Sequence, residues 1–246
     1  MNYRKDIDGL RAIAVLGVIF YHSEILIGKK YLFSGGFLGV DIFFVISGYL
    51  ITSIIYQESF TNKKFSFLEF YERRIRRLLP ALLVVLFFSV FFAYFLLLPV
   101  QFKTYLKSII SSIFFYSNFY FHYSGQAYGE AILSSKPLLH TWSLAVEEQF
   151  YIIFPLFFFL SYKFYSKKIY LFFLIIVILN LLFIQLSGNL NFSKPFIENE
   201  IKFESPSIFS NFYLISSRAW ELLAGSIISI LEANKKIKLE NKFFNL

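Results

Sequence analysis

The sequence predicts an all-α, polytopic integral membrane bundle of about six spanning helices, and three observations lead there. Apolar residues make up 57% of the 246 and charged residues only 16%, against 45–50% apolar in ordinary soluble domains; the mean hydropathy is +0.60. The apolar residues gather into runs of about 20, the length an α-helix needs to cross the hydrocarbon core, and helices satisfy their backbone groups inside lipid. Charge is the third observation. With the amino terminus in the cytoplasm, sixteen of the 24 Lys and Arg fall on the inner side and eight on the outer, the bias that the positive-inside rule requires.

That bias accounts for much of the net charge of +8. No nucleic-acid partner is read from it, because no basic face carries interleaved aromatics outside the spans. The chain has no Cys, so disulfides, a thiol nucleophile and a thiolate metal site are excluded, and no metal ligand set is assigned. The 35 Phe and 17 Tyr carry no functional argument.

Taken in order, the first span covers about residues 10–27, behind Arg4, Lys5 and Arg11. No small-x-small cleavage pattern follows it, so it is expected to stay in place. Arg11 and His22 lie eleven residues apart, three turns plus roughly 20°, so they share one face about 16 Å apart along the axis. Ionisable groups within a span are costly and by default functional; the plainer alternative is an Arg snorkelling to the headgroups and a His hydrogen-bonded in the bundle. The second span covers about residues 37–55. In it Asp41 and Gly48 are seven apart and share a face, with the glycine open to a neighbouring helix and Asp41 expected inside.

Residues 56–78 are polar and end in four arginines, Arg73, Arg74, Arg76 and Arg77. Pro80 suits a helix start, which sets the third span at about 79–98. Residues 107–121 are apolar but short, and read as an interfacial or re-entrant piece. His122 reads as a surface histidine. A fourth span ends near Tyr162, a basic turn follows at 163–168, and the fifth and sixth spans cover about 169–186 and 212–231.

Four arginines at the cytoplasmic start of a helix are what a topology signal looks like. Yet Arg73, Arg74 and Arg77 stand three and four apart, so a helix here presents a compact cationic face, and arginine suits a bidentate grip on phosphate. Farther on, His140 and Glu147 are seven apart and aligned, while Glu148 points about 80° away. Two carboxylates at a span's start either pair with an arginine or position His22, or else they are acids favoured at a helix amino terminus. Arg218 and Glu221 read as a structural i, i+3 ion pair beside Trp220.

Five motifs, in order, resemble the membrane-bound acyltransferase-3 family. They are Asp8-Gly9-Leu10-Arg11 with His22, the run Gly39 to Tyr49, the run Tyr71 to Pro80, the run Thr141 to Tyr151, and Arg218-Ala219-Trp220-Glu221. The resemblance implies one transmembrane domain over residues 1–246, in a bacterial inner membrane with the amino terminus cytoplasmic. It implies transfer of an acyl group, commonly acetyl, from cytoplasmic acyl-CoA (acetyl-CoA) to a hydroxyl of an envelope glycan: lipopolysaccharide O-antigen, peptidoglycan or exopolysaccharide. Arg11, Arg73, Arg74 and Arg77 are then expected to hold the donor's phosphates, with His22, Glu147 and Glu148 as catalytic residues. His22 acts as general base or carries the acyl group transiently. No cofactor is expected to be bound permanently. Family members have about ten spans, so a carboxy-terminal part is expected to be missing, to be supplied by a partner if at all, and the chain alone is expected to be incompetent. Two alternatives stay open, a transporter with an intramembrane relay of His, Arg and Glu and an inactive remnant.

Overall fold

The structure, a computed structural model, describes residues 4–23, 25–27, 30–31, 33–61, 65–124, 136–165, 168–191 and 212–234. Its helices are α1 (Lys5–His22), α2 (Leu38–Tyr56), α3 (Phe67–Leu96), α4 (Pro99–Ile113), α5 (Ser117–Ser124), α6 (Thr141–Tyr165), α7 (Ile169–Asn191) and α8 (Ile215–Ala233). Two-residue strands, β1 (Leu26–Ile27) and β2 (Lys30–Tyr31), pair antiparallel with Leu26 opposite Tyr31. The architecture is all-α. Helices stand in all six predicted spans, and α2, α3, α6 and α7 are long and apolar enough to cross a membrane. By contrast α1 carries Lys5, Asp6, Asp8 and Arg11, and α8 carries Arg218, Glu221 and Glu232.

Three boundaries differ from those read in the sequence. The first helix ends at His22 rather than near residue 27, because the chain turns there into the β1–β2 hairpin. Pro80 does not begin α3 but lies inside it, fourteenth of 30 residues. The helix starts earlier because Ser66 Oγ accepts from Glu69 N at 3.4 Å, and because Glu69–Arg73 and Glu72–Arg76 form i, i+4 pairs in the favoured order. Proline then costs one backbone bond, a loss that membrane helices tolerate. His140 precedes α6 in the turn at 137–140, so the helical alignment expected for it with Glu147 does not arise.

The described residues form two compact units. One comprises the chain up to Phe65, Leu156–Leu181 and the chain from Ala219 on; the other comprises Ser66–Pro155 and Leu182–Arg218.

In the first unit, glycines set the helix crossings. A side chain at Gly39 would collide with the Ala14 carbonyl and Val18, one at Gly48 with the Leu222 carbonyl, and one at Gly225 with the Val45 carbonyl and Tyr49 N. Backbones of α2 and α8 therefore touch, as small residues permit in membrane bundles, and Ser226 Oγ donates to Leu222 O at 3.0 Å beside them. Around this crossing Phe44, Ile51, Ile55, Leu222 and Ile230 are fully buried.

A polar clasp ties the same three helices together. Tyr49 OH donates to Glu232 Oε2 at 2.6 Å, and Arg4 donates to Tyr49 OH at 3.1 Å and to Glu232 Oε1 at 3.0 Å. Arg4 also grips Asp6, at 2.7 Å for the shortest bond. That hydrogen bond raises the Arg4 guanidinium pKa and holds the Asp6 carboxyl below its ordinary range. A depressed carboxylate contributes stability above its unfolded pKa, and the contribution disappears as pH falls through the folded one. Acidification into that range should therefore lower the melting temperature of the wild type more than that of Asp6→Asn. The difference should be small, since a pair this exposed contributes at most about 1 kcal/mol. Thermal scans of both in detergent across the acid range check it, and parallel acid limbs would contradict it.

Candidate functional site

In the second unit the capped amino-terminal turns of α3 sort the arginines. Arg73 stands 3.8 Å from Glu69, and Arg76 stands 2.6 Å from Glu72. Both are exposed, as is Arg77. Arg74 is different. It is half-buried, and its guanidinium lies 5.7 Å from the Phe70 ring centre and 5.5 Å from that of Tyr151. Tyr71 OH donates to Ile152 O at 2.8 Å, fixing α3 against α6 at this level. Tyr151 is ten residues into α6, roughly 15 Å from its first turn, so Arg74 is packed against the body of that helix.

On α6 the two acids part company. Glu147 Oε2 accepts from Tyr151 OH at 3.1 Å. Glu148 is only 8% exposed, its Oε1 has no hydrogen bond, and it lies within electrostatic reach of Glu147 and Arg74. A buried carboxylate oxygen without a donor is costly to maintain and calls for a specific explanation. The result is a small charged site: one arginine between two rings, two acids and a tyrosine hydroxyl.

The same unit carries a hydroxyl-rich face absent from the sequence reading. On α4, Ser108, Ser111 and Ser112 are buried together with Tyr105 and Ile109, while Leu106, Ile110 and the C-cap residue Phe114 are exposed. Ser112 Oγ meets Thr141 Oγ1 at 2.9 Å, and Ser117 Oγ donates to Thr141 O at 2.9 Å. The spacing of the three serines at i, i+3 and i+4 was the available signal. His122, read as a surface residue, is 3% exposed, with no hydrogen bond at Nδ1. The correction follows from α5, whose packed face also buries Ser117, Asn118 and Phe121. Lys136 is buried too, donating to Ser124 Oγ at 2.8 Å.

In the first unit, Arg11 and His22 lie on α1, as their spacing requires. Arg11 Nη1 is 3.5 Å from Asp8 Oδ1. His22 is exposed, with Nδ1 2.9 Å from Val18 O. A carbonyl oxygen only accepts, so Nδ1 is the donor in this contact and Nε2 takes no part in it. The structure thus gathers Arg74, Glu147 and Glu148 in one unit, leaves Arg73 and Arg77 at that unit's surface, and sets Arg11 and His22 along one helix of the other. Arg218 lies 4.2 Å from the Phe212 ring centre and 5.8 Å from that of Trp142, and Glu221 is fully buried.

Comparison with known proteins adds a family match. The acyltransferase-3 model, described as an acyltransferase domain, matches residues 4–245. An O-acetyltransferase OatA of Staphylococcus aureus (strain NCTC 8325 / PS 47) is 42% identical over 171 residues, 68% of this chain and 27% of that protein. The peptidoglycan O-acetyltransferase OatA of Listeria monocytogenes serovar 1/2a is 41% identical over 156 residues, 63% of this chain and 24% of its own length. A putative O-acetyltransferase SAS0844 of Staphylococcus aureus (strain MSSA476) is 43% identical over 155 residues, with 63% and 24% covered. The chain thus covers about a quarter of the length of the curated relatives it matches. No solved structure matches.

Proposed function

Because the chain belongs to the acyltransferase-3 family, with the match running over residues 4–245, we propose that it works as the membrane-embedded acyl-transfer part of an envelope-glycan O-acetyltransferase. The observation that carries this reading is the half-buried Arg74 beside the buried Glu148, whose Oε1 has no donor. Peptidoglycan is the favoured acceptor, because one relative is named for it. Acetyl-CoA, arriving from the cytoplasm, is the donor.

In this proposal Arg11, Arg73, Arg74 and Arg77 hold the donor's phosphates, guanidinium being suited to bidentate contact with phosphate oxygens. Glu148 and Glu147 are the catalytic carboxyls of the site, Glu148 also supplying the counter-charge of Arg74 and Glu147 being held by Tyr151. His22 Nε2 takes the proton of the acceptor hydroxyl as the new C–O bond forms; the C–S bond breaks and CoA leaves as thiolate, which takes up the proton. The inner-membrane placement with both chain ends cytoplasmic belongs to the same proposal.

The test is release of free CoA thiol from acetyl-CoA by membranes bearing the protein, with and without peptidoglycan. Acceptor-dependent release supports the enzyme; acceptor flux without release supports a transporter. The two polar heights of α1 should then fail differently. In the complete enzyme, Arg11→Ala should raise the donor KM about 10- to 150-fold, the cost of a charge-assisted contact at about 1.5–3 kcal/mol. His22→Ala should lower kcat by about 10²-fold or more with KM little changed. Normal turnover of His22→Ala at matched protein amount would remove His22 from the site.

A further inference from the structure

The turn between α4 and α5 holds Phe115 at φ 53°, a left-handed conformation that a bulky residue keeps only when its surroundings impose it. Phe115 stands where glycine usually ends a helix. Tyr116 N donates to Ser111 O at 2.9 Å and Phe115 N to Ser112 O at 3.2 Å, the two bonds of a Schellman motif.

A third bond comes from α6, where Gln149 Nε2 donates to Phe115 O at 2.9 Å. The same Nε2 donates to Asn118 Oδ1 at 2.8 Å, and Asn118 Nδ2 donates back to Gln149 Oε1 at 3.2 Å. Both amide protons and the oxygen of Gln149 are thereby engaged by α5 and the strained turn.

Gln149 directly follows Glu148. Successive residues on a helix stand 100° apart, so locking one azimuth locks the next. A carboxylate lies roughly 6 Å from the helix axis, so a 10° rotation of α6 moves it by about 1 Å. A misplacement of that size costs on the order of 10²-fold in a reaction that depends on orientation.

We propose that Gln149 is a positioning residue: by fastening α6 to Asn118 and to the strained turn at Phe115, it holds the Glu148 carboxyl in its place beside Arg74. The catalytic consequence rests on the acyl-transfer reading; the position of Glu148 does not.

The experiment uses the full chain in native membranes and three variants: Gln149→Leu, the exchange Asn118→Gln with Gln149→Asn, and Phe115→Gly with Gln149→Leu. Glycine at 115 relieves the backbone strain without rebuilding the amide pair. One readout is labelling of Glu148 by dicyclohexylcarbodiimide, in which a carboxylic acid O–H adds across a C=N bond with no leaving group, quantified by peptide mass spectrometry. The other is kcat and donor KM for acyl transfer from acetyl-CoA. Gln149→Leu should change Glu148 labelling at least threefold and lower kcat at least tenfold, with KM within threefold. The exchanged pair should bring both readouts back toward wild type. Phe115→Gly with Gln149→Leu should restore protein amount but neither readout. Unchanged labelling in Gln149→Leu, or its full restoration when Phe115→Gly is added to Gln149→Leu, overturns the proposal and leaves Gln149 as a donor that merely steadies the turn. Labelling that behaves as expected in a wild type that transfers no acyl group leaves the positioning intact and removes the acyl-transfer reading.

Discussion

Glu148→Gln should lower the kcat of acyl transfer by about 10²-fold or more while protein abundance in the membrane stays close to wild type. The substitution keeps the volume and shape of a side chain that is only 8% exposed, so the packing around it has little reason to change. What changes is chemistry. The Oε1 that has no donor becomes part of a neutral amide, which offers two N–H donors where an acceptor stood and supplies no counter-charge to Arg74. Loss of a positioned acid or base typically costs 10²- to 10⁴-fold. Glu148→Ala should do more, because it also opens a cavity and leaves the half-buried guanidinium of Arg74 without its neighbouring carboxylate, a change that costs several kcal/mol when charges are buried. Single-turnover assays at matched protein amount decide the matter. A Glu148→Gln protein within threefold of wild type would take Glu148 out of the site and leave it a structural acid.

The second large effect belongs to the α2–α8 crossing. Gly48→Leu should destabilise the first unit by about 3 kcal/mol or more and sharply reduce the amount of folded protein. Even the first carbon of a side chain there would overlap the Leu222 carbonyl, which is backbone and cannot swing aside. To admit Leu, α8 must retreat along its length. That motion separates Gly225 from the Val45 carbonyl and loosens contacts of Ile51, Ile55, Leu222 and Ile230, all fully buried. Overpacking a tight core costs 1–3 kcal/mol and exceeds that when a backbone must move. Gly9→Ala is the matched control, since nothing lies within 4 Å of a side chain there and alanine favours a helix interior by about 0.5–1 kcal/mol. Melting temperatures in detergent should fall for the first variant and hold or rise for the second. Equal melting for Gly48→Leu and wild type would mean that the two helices do not touch.

How much of this was legible beforehand follows from the reach of each interaction. Span length and apolarity are properties of contiguous residues, so α2, α6 and α7 stand where hydropathy places them, and the all-α class follows from composition. Helical periodicity is likewise local. It was enough to set Arg11 and His22 along one helix and to mark Gly48 as a place for a neighbouring helix, and five motifs in order were enough to identify the family.

What a side chain meets across space is not written in its own neighbourhood. The four arginines at 73 to 77 look equivalent in sequence, yet Arg73 and Arg76 turn to Glu69 and Glu72 on their own helix while Arg74 packs against Tyr151, 77 positions away. Pro80 reads as a helix start because the rule concerns the missing N–H, whereas the cap at Ser66 and the ion pairs behind it had already begun α3. His122 reads as a surface residue among tyrosines until the packing of α5 buries it. Gln149 lies within the run Thr141 to Tyr151, but nothing in that run says what its amide meets. Its partners are Asn118 and the carbonyl of a left-handed Phe115, a conformation that exists only because α4, α5 and α6 converge there. Sequence determined which segments are helices, which of them suit a membrane and which family they belong to, since those depend on short-range geometry and apolar content. Tertiary structure alone decided which charged and amide groups face one another, because that depends on contacts between segments that local periodicity does not encode.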